Sequence, residues 1–432
     1  MNALLHPSLI ALGLASTFAA SSVAGARSTE RWTLDDVVAK AVTQHPIIVA
    51  SRERLNAAEG TYADAGKWEN PRLIFSAENL QFGVDDFDFW TQPDWFLFVT
   101  QTIETAGKRG HRKRAAEMGV DLAELQQQII ERELVHRVKV AFQNVLTAQD
   151  KHALTRDSQS RLAELVELNR VRADEGYASE GDYIKARLEA QRFELALRKS
   201  ELALQQSKIQ LLQALGYMEF ETQFELVAPE PLELMMAASV DEASLRDAAA
   251  RRPEIRVADA VVARADARSQ LEGALAHPDL AASLGYKRNG PANTLYLGMS
   301  LPLPILNRNQ GGIVRGRAEL ALARAELMLE QSRVLAQLES ALEGVRMTRR
   351  QIESLRADFI DRADESRTIA LAAYTEGAAD LLVVLEAERT RNVAQELVVD
   401  AVHDYRLALH ELERAAGVKS LPSSSHVEGE AP

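Results

Sequence analysis

Apolar residues along most of this chain recur at helical spacing over stretches far longer than an ordinary helix. Leu122, Leu125 and Ile129, then Leu134, Val138, Ala141 and Val145, mark a stripe on a segment that has no proline between Lys108 and Asp174; its glycines, Gly110 and Gly119, lie near its start. At roughly 1.5 Å per residue, a helix over that segment would be about 100 Å long, well beyond globular length. The return segment, Asp182 to Leu215, carries two heptad rows. Leu188, Leu195, Leu202 and Ile209 form one, and Leu197, Leu204 and Leu211 form another about 200° away around the helix. Rows on nearly opposite sides suit a helix gripped by a neighbour on each flank, as in a wall of helices closed into a cylinder. A long coiled coil or a simple bundle is the plainer alternative.

The hairpin is laid out twice. The frame from Glu175-Gly176 to Gly216 returns from Glu376-Gly377 to Gly417, and Pro46, Ile48, Gly66, Pro71 and Leu73 have counterparts at one constant offset in Pro253, Ile255, Gly273, Pro278 and Leu280. What agrees is the set of glycines, prolines and apolar positions rather than the letters between them. In the second copy Val398, Tyr405 and Leu412 with Val402, Leu409 and Ala416 make one broad stripe, so the two copies need not pack identically. Before each hairpin come two strand-like runs. Pro71 to Glu78 and Trp95 to Ile103 flank an acidic, aromatic loop, and Pro278 to Tyr286 and Thr294 to Leu303 flank Asn289-Gly290-Pro291. Their lengths are close to the roughly 9–11 residues that cross a bilayer as a tilted strand. Four such strands cannot close a barrel, which starts at about eight, and an open edge in lipid leaves backbone groups unpaired. If they span a membrane, chains must share the barrel, and three chains supply about twelve strands.

The ends of the chain differ from its middle. Residues 1–26 hold an apolar run from Leu9 to Ala20 and small residues at Ala24-Gly25-Ala26, the pattern of a signal peptide, and no later run is apolar enough for a membrane helix. Residues 27–243 read as a first structural repeat: a helix, the strand pair 71–103, the hairpin 108–216 and an equatorial segment 217–243. Residues 244–418 read as the second, with a helix, the strand pair 278–303 and the hairpin 310–417, and residues 419–432 as a disordered Ser/Glu/Pro-rich tail. The net charge of −13 argues against a nucleic-acid partner, and the absence of cysteine excludes disulfides and thiolate metal sites.

No nucleophile elbow, zinc-protease helix or phosphate loop is present, so neither catalytic residues nor a cofactor is expected. Gly107-Lys108-Arg109-Gly110-His111 lacks phosphate-cradle spacing and reads as a basic turn opening the long helix, placed to meet lipid phosphates. His403 and His410 share a helix face two turns apart; without a third ligand they read as interhelix or solvated residues rather than a metal site. Polar residues gather at the hairpin turns. Asp182 follows the first turn glycine, while Tyr374 precedes Gly377 and Asp380, Glu386 and Glu388 follow it. With the turns side by side, Asp182 can accept a hydrogen bond from the Tyr374 phenol and tie the two coils; as helix-capping and surface residues they would do nothing of the kind.

The combined pattern resembles the TolC-like outer membrane efflux protein family over essentially the whole mature chain. The residues that carry the resemblance are Val38 to Pro46 and Leu245 to Pro253, Asn70-Pro71 and His277-Pro278, Ser300 to Pro304 followed by Asn307-Arg308-Asn309-Gln310-Gly311, and Tyr374 to Gly377 with Leu385-Glu386-Ala387. The run Thr102 to His111 is similar to the branch serving heavy-metal exporters of the cobalt-zinc-cadmium type. The resemblance implies a mainly α protein with a small β part. Three chains would form a homotrimer, an α-barrel of duplicated hairpins beneath a 12-stranded β-barrel in outer-membrane lipid. It implies a passive exit duct that works with a periplasmic adaptor and an inner-membrane RND-type pump, carrying divalent heavy-metal cations or, alternatively, organic compounds. It places a gate bond at Asp182 and Tyr374 and acidic pore positions at Glu386 and, by proximity, Asp380. Val383 and Ala379 depart from the pattern, standing where an Asp and an Arg often lie. A periplasmic adaptor would have one hairpin in β-rich modules, and a soluble coiled coil would leave the four strands unexplained.

Overall fold

The computed structural model describes residues 30–421 apart from 82, 84, 229–231, 238–240 and 357–358; the expected signal peptide and most of the expected tail lie outside the described residues. The first copy runs β1 (Glu30–Trp32), α1 (Leu34–Gln44), α2 (Pro46–Ala65), β2 (Arg72–Glu78), β3 (Asp94–Ile103), α3 (Lys108–Asp174) and α4 (Glu180–Ala214). β4 (Phe224–Leu226) and α5 (Leu232–Ala237) lead to the second copy: α6 (Glu242–Ala250), α7 (Pro253–Leu275), β5 (Leu280–Asn289), β6 (Ala292–Ser300), α8 (Gln310–Arg356), α9 (Phe359–Thr375) and α10 (Leu381–Ala416). The outgoing limb is one helix of 67 residues in the first copy and two successive helices in the second.

Local chemistry sets the boundaries. Thr33 and Asp36 cap α1 reciprocally, side chain to backbone in both directions. Pro46 and Pro253 each take a first helical position, where a missing N–H breaks no hydrogen bond. The four frame glycines, Gly176, Gly216, Gly377 and Gly417, have φ of 81°, 79°, 79° and 81°, the left-handed conformation that stops a helix. The upper two are also close approaches. A Cβ on Gly216 would lie 2.8 Å from Pro46 Cδ, and one on Gly417 would lie 2.8 Å from Arg252 Cγ. Each return helix therefore ends against the corner that opens the proline-started helix of its own copy.

Three apolar clusters hold the helices. One gathers α1, α3, α4, β1 and β4 around Val37, Phe142 and Leu211; one gathers α6, α8 and α10 around Leu338, Ile352 and Leu412; one joins both hairpins near their turns around Leu162, Ala186 and Val384. The first cluster is closed by the parallel pairing of β1 with β4, where Trp32 stacks on Phe224 at 4.3 Å. Lys40 lies over Trp32 and Lys208 over Phe224, and Lys208 also donates to the carbonyls of Thr222 and Phe224.

The remaining strands make one antiparallel sheet in the order β2-β3-β5-β6. Register puts Leu73 opposite Val99, Phe75 opposite Leu97, Val99 opposite Leu284 and Leu284 opposite Leu297, so one face is a continuous apolar surface. Leu73, Phe75, Leu97, Val99, Leu284, Leu295, Leu297 and Met299 are 43% to 75% exposed there. The other face is mixed: Ser76, Thr100, Ser283, Lys287 and Thr294 lie there beside Ile74, Phe96, Phe98 and Tyr296, the Thr100 and Ser283 hydroxyls bond at 2.8 Å, and the Tyr296 ring packs on Phe96 and Phe98. Rings of Phe75, Phe89, Trp90 and Trp95 pack together at the loop end of the apolar face. An exposed apolar face edged with aromatics, with the hydroxyls and Lys287 on the opposite side, is the pattern of a strand group with lipid outside and water inside. Among the described residues, β2 and β6 have no second strand partner.

Candidate functional site: the hairpin turns and the membrane sheet

At the first turn Ser179 caps α4, its hydroxyl oxygen accepting from the Asp182 N–H at 3.1 Å while its O–H donates to the Asp182 carboxylate at 2.8 Å. Lys185 adds an ion pair at 3.2 Å. The Ser179 hydroxyl and then Lys185 hold the Asp182 carboxyl below the usual carboxylate range, against burial. The expected bond from Tyr374 to Asp182 is not made. The carboxylate is occupied locally, and the Tyr374 hydroxyl instead donates to Asn169 Oδ1 on α3 at 2.5 Å. Burial pushes the Tyr374 phenol up, opposed by Arg172, with Asp182 adding to the rise, so the hydroxyl keeps its proton and remains a donor.

Asn169 is fully buried, at 0% exposure, in the apolar stripe that includes Leu162 and Leu165. A lone amide in such a row is the signal the sequence offers for it, since a buried polar side chain needs hydrogen-bond partners; its Nδ2 donates to the Leu165 carbonyl of its own helix and its Oδ1 accepts from Tyr374. Arg172, one turn on, donates to the carbonyls of Tyr374 and Thr375 at 3.1 Å each and lies over the Tyr374 ring. It thus ties the first hairpin to the carbonyl end of α9.

A second tie joins the return helices. Arg389 on α10 makes a bidentate pair with Glu189 on α4 at 2.7 and 2.9 Å, and its other side lies 3.8 Å from Glu386. The Arg389 guanidinium holds the Glu189 carboxyl below its usual value. Glu386 itself is 70% exposed in its side chain and lines, with Ile369, Ala373 and Leu382, an open groove of about 890 Å³ between α9 and α10. Asp380 is exposed at the start of α10 and makes no side-chain cap bond. Glu388 is turned away from water, buried between Arg367 and Arg161. The structure therefore keeps Glu386 and Asp380 open to solvent near the turns and withdraws Glu388.

At the other end of the hairpin, the basic turn is partly used up internally. Lys108 is buried against Asp279 at 2.7 Å and Arg112 pairs with Glu104, while Arg109 lies 4.6 Å over the exposed ring of Trp68. His403 and His410 face α3, bonding Thr147 and Gln143. No helix among the described residues is long and apolar enough to cross a membrane, and no group of ligating side chains there is arranged for a metal ion.

Long duplicated hairpins tied at their turns, carried beneath an amphipathic sheet with open edges, define the class of outer-membrane ducts. The chain belongs to the outer membrane efflux protein family, whose model matches residues 37–217 and 244–418, one span in each copy. Among relatives, it is 25% identical over 365 residues to the cobalt-zinc-cadmium resistance protein CzcC of Cupriavidus metallidurans, covering 83% of each chain. It is 27% identical over 307 residues to the nickel and cobalt resistance protein CnrC of the same species, covering 71% of each, and 26% identical over 344 residues to the pyoverdine export outer membrane protein OpmQ of Pseudomonas aeruginosa, covering 74% of this chain and 68% of that one. The fold is that of solved outer-membrane channels. VceC of Vibrio cholerae superposes with a TM-score of 0.74 at 19% identity over 89% of this chain and 96% of that one, and CusC with 0.75 at 16% identity over 89% and 92%. The protein is thus an outer-membrane channel protein with a long periplasmic helical extension.

Proposed function

We propose that three copies of this chain form the passive exit duct of a tripartite efflux system. It would receive cargo from an inner-membrane RND-type pump through a periplasmic adaptor, and that cargo is divalent heavy-metal cations. The observation that carries the duct is the four-stranded sheet, with one exposed apolar face, an opposite face of mixed polar and aromatic residues, and two edges unpaired among the described residues. Such edges are untenable in lipid unless other copies pair with them. The metal cargo is supported by the likeness to cobalt-zinc-cadmium and nickel-cobalt resistance proteins and by the exposed carboxylates Glu386 and Asp380 beside the turns, which favour cations when repeated around a narrow opening. We assign the gate to the ties between hairpins: Tyr374 with Asn169 and Arg172, and Arg389 with Glu189, with Asp182 holding the first turn in shape rather than bonding across it.

Deleting the gene in its host and scoring growth tests the cargo. Loss of tolerance to cobalt, zinc and cadmium, restored by the wild-type gene and less well by Glu386→Gln, is the expected result. Intact metal tolerance with lost tolerance to organic compounds would transfer the duct to organic cargo, the alternative that the likeness to OpmQ favours.

A further inference from the structure

Three half-buried histidines lie along one stretch of α3. His45, at the corner between α1 and α2, lies against Gly216 and feels Arg137 of α3; His136 belongs to α3; His403 bonds Thr147 of α3 from α10. Each ring has one side on which a second proton is ill placed. His45 Nδ1 accepts the Ile47 N–H at 3.0 Å and so caps α2, and a backbone N–H cannot exchange roles with a protonated nitrogen. His136 has a buried Nδ1 with no hydrogen-bond partner, and the carboxylate 3.5 Å from its Nε2, that of Glu411, is already engaged by Arg414. His403 lies beside Arg406, a 9%-exposed guanidinium whose Nε is unpartnered, and beside Lys151, which occupies Asp400 at 2.5 Å.

We propose that these three imidazoles make the junction of α3 with the α1–α2 corner and with α10 an acid-responsive joint. Neutral rings hold the first hairpin to the corner and to the second hairpin, and protonation releases that hold.

Burial is the main cause that pushes all three rings below the ordinary imidazole value of 6.5. The charged groups that act on them are few. Arg137 opposes a proton on His45. Glu411 and Glu133 favour one on His136 while Arg414 and His410 oppose it, and Asp404 and Asp400 favour one on His403 while Lys151 and Arg406 oppose it. A loosened state, with its rings in water, binds more protons than the closed one. The joint is therefore fully held above pH 6.5 and loses stability as pH falls below it.

Amide hydrogen exchange on the full-length protein in detergent, at about pH 7.5 and about pH 5.5 with rates corrected for intrinsic pH dependence, reads the joint directly and needs no cargo or pump. Amides in the first turn of α2, and in α3 and α10 around the three rings, should exchange about tenfold faster at the lower pH, while those around Leu162 and Ala186 should not. In the triple variant His45→Asn, His136→Gln, His403→Gln, which keeps neutral acceptors at these positions, the acceleration should shrink to about threefold or less. Equal acceleration in wild type and variant overturns the proposal. So does wild-type exchange that ignores pH, a result that does not depend on any variant folding.

Discussion

A buried hydroxyl takes the acceptor that a facing helix places within reach, and for Tyr374 at the turns that acceptor is Asn169 of α3, at 0% exposure. Tyr374→Phe leaves the Asn169 carbonyl oxygen without its donor in a site closed to water, a loss of about 1–3 kcal/mol. Asp182→Ala removes only bonds made within its own helix start, to Ser179 and Lys185, on a side chain 33% exposed. The two variants should therefore behave differently in planar bilayers. Tyr374→Phe raises the closed-state conductance of the purified channel, and Asp182→Ala leaves it near wild type. The reverse order of effects would return the gate to Asp182.

At the scale of elements, the four left-handed glycines share φ values within 79° to 81° but have unequal surroundings. Alanine at any of them places a Cβ in the left-handed region, a penalty of about 1–2 kcal/mol. At Gly176 and Gly377 nothing else lies within 4 Å of the new atom. At Gly216 it meets the rigid ring of Pro46, and at Gly417 it meets Arg252, which is 3% exposed and fixed by Gln337, Glu254 and the Ala415 carbonyl. Overpacking there adds about 1–3 kcal/mol. Gly216→Ala and Gly417→Ala should thus lower the thermal midpoint clearly more than Gly176→Ala and Gly377→Ala; four equal shifts would show that the corners yield. These glycines, the heptad rows and the period-two strands were legible in the sequence because each is a local requirement repeated along the chain. β1 and β4 were not, since three residues show no period and their pairing joins positions about as far apart as Trp32 and Leu226. Neither were the turn ties: the partners Asn169 and Tyr374, or Glu189 and Arg389, are set by how two helices meet, which spacing along one helix does not encode.

For the whole molecule, the decisive feature is what a single chain leaves uncovered. Of the two heptad rows on α4, the one ending in Leu211 turns inward, with Leu211 at 0% exposure, whereas Leu188, Leu195 and Leu202 remain 61%, 61% and 58% exposed. Burying such side chains against a neighbour stabilises an assembly by about 1.5–3 kcal/mol each. The unpaired edges of β2 and β6 need the same neighbours, because each unpaired backbone group in lipid costs several kcal/mol. In the proposed three-copy duct, closing the helical wall and closing the barrel are therefore one event. Leu195→Glu, on a face that the isolated chain already exposes, should leave the fold and helix content of the monomer intact. Yet it should abolish the trimer on unheated gels and deplete the protein from the outer-membrane fraction, although the substitution lies on the periplasmic return helix, outside the membrane sheet. A Leu195→Glu protein that assembles and inserts like wild type would mean that the exposed row is not the seam between copies, and that the barrel edges alone bring the chains together.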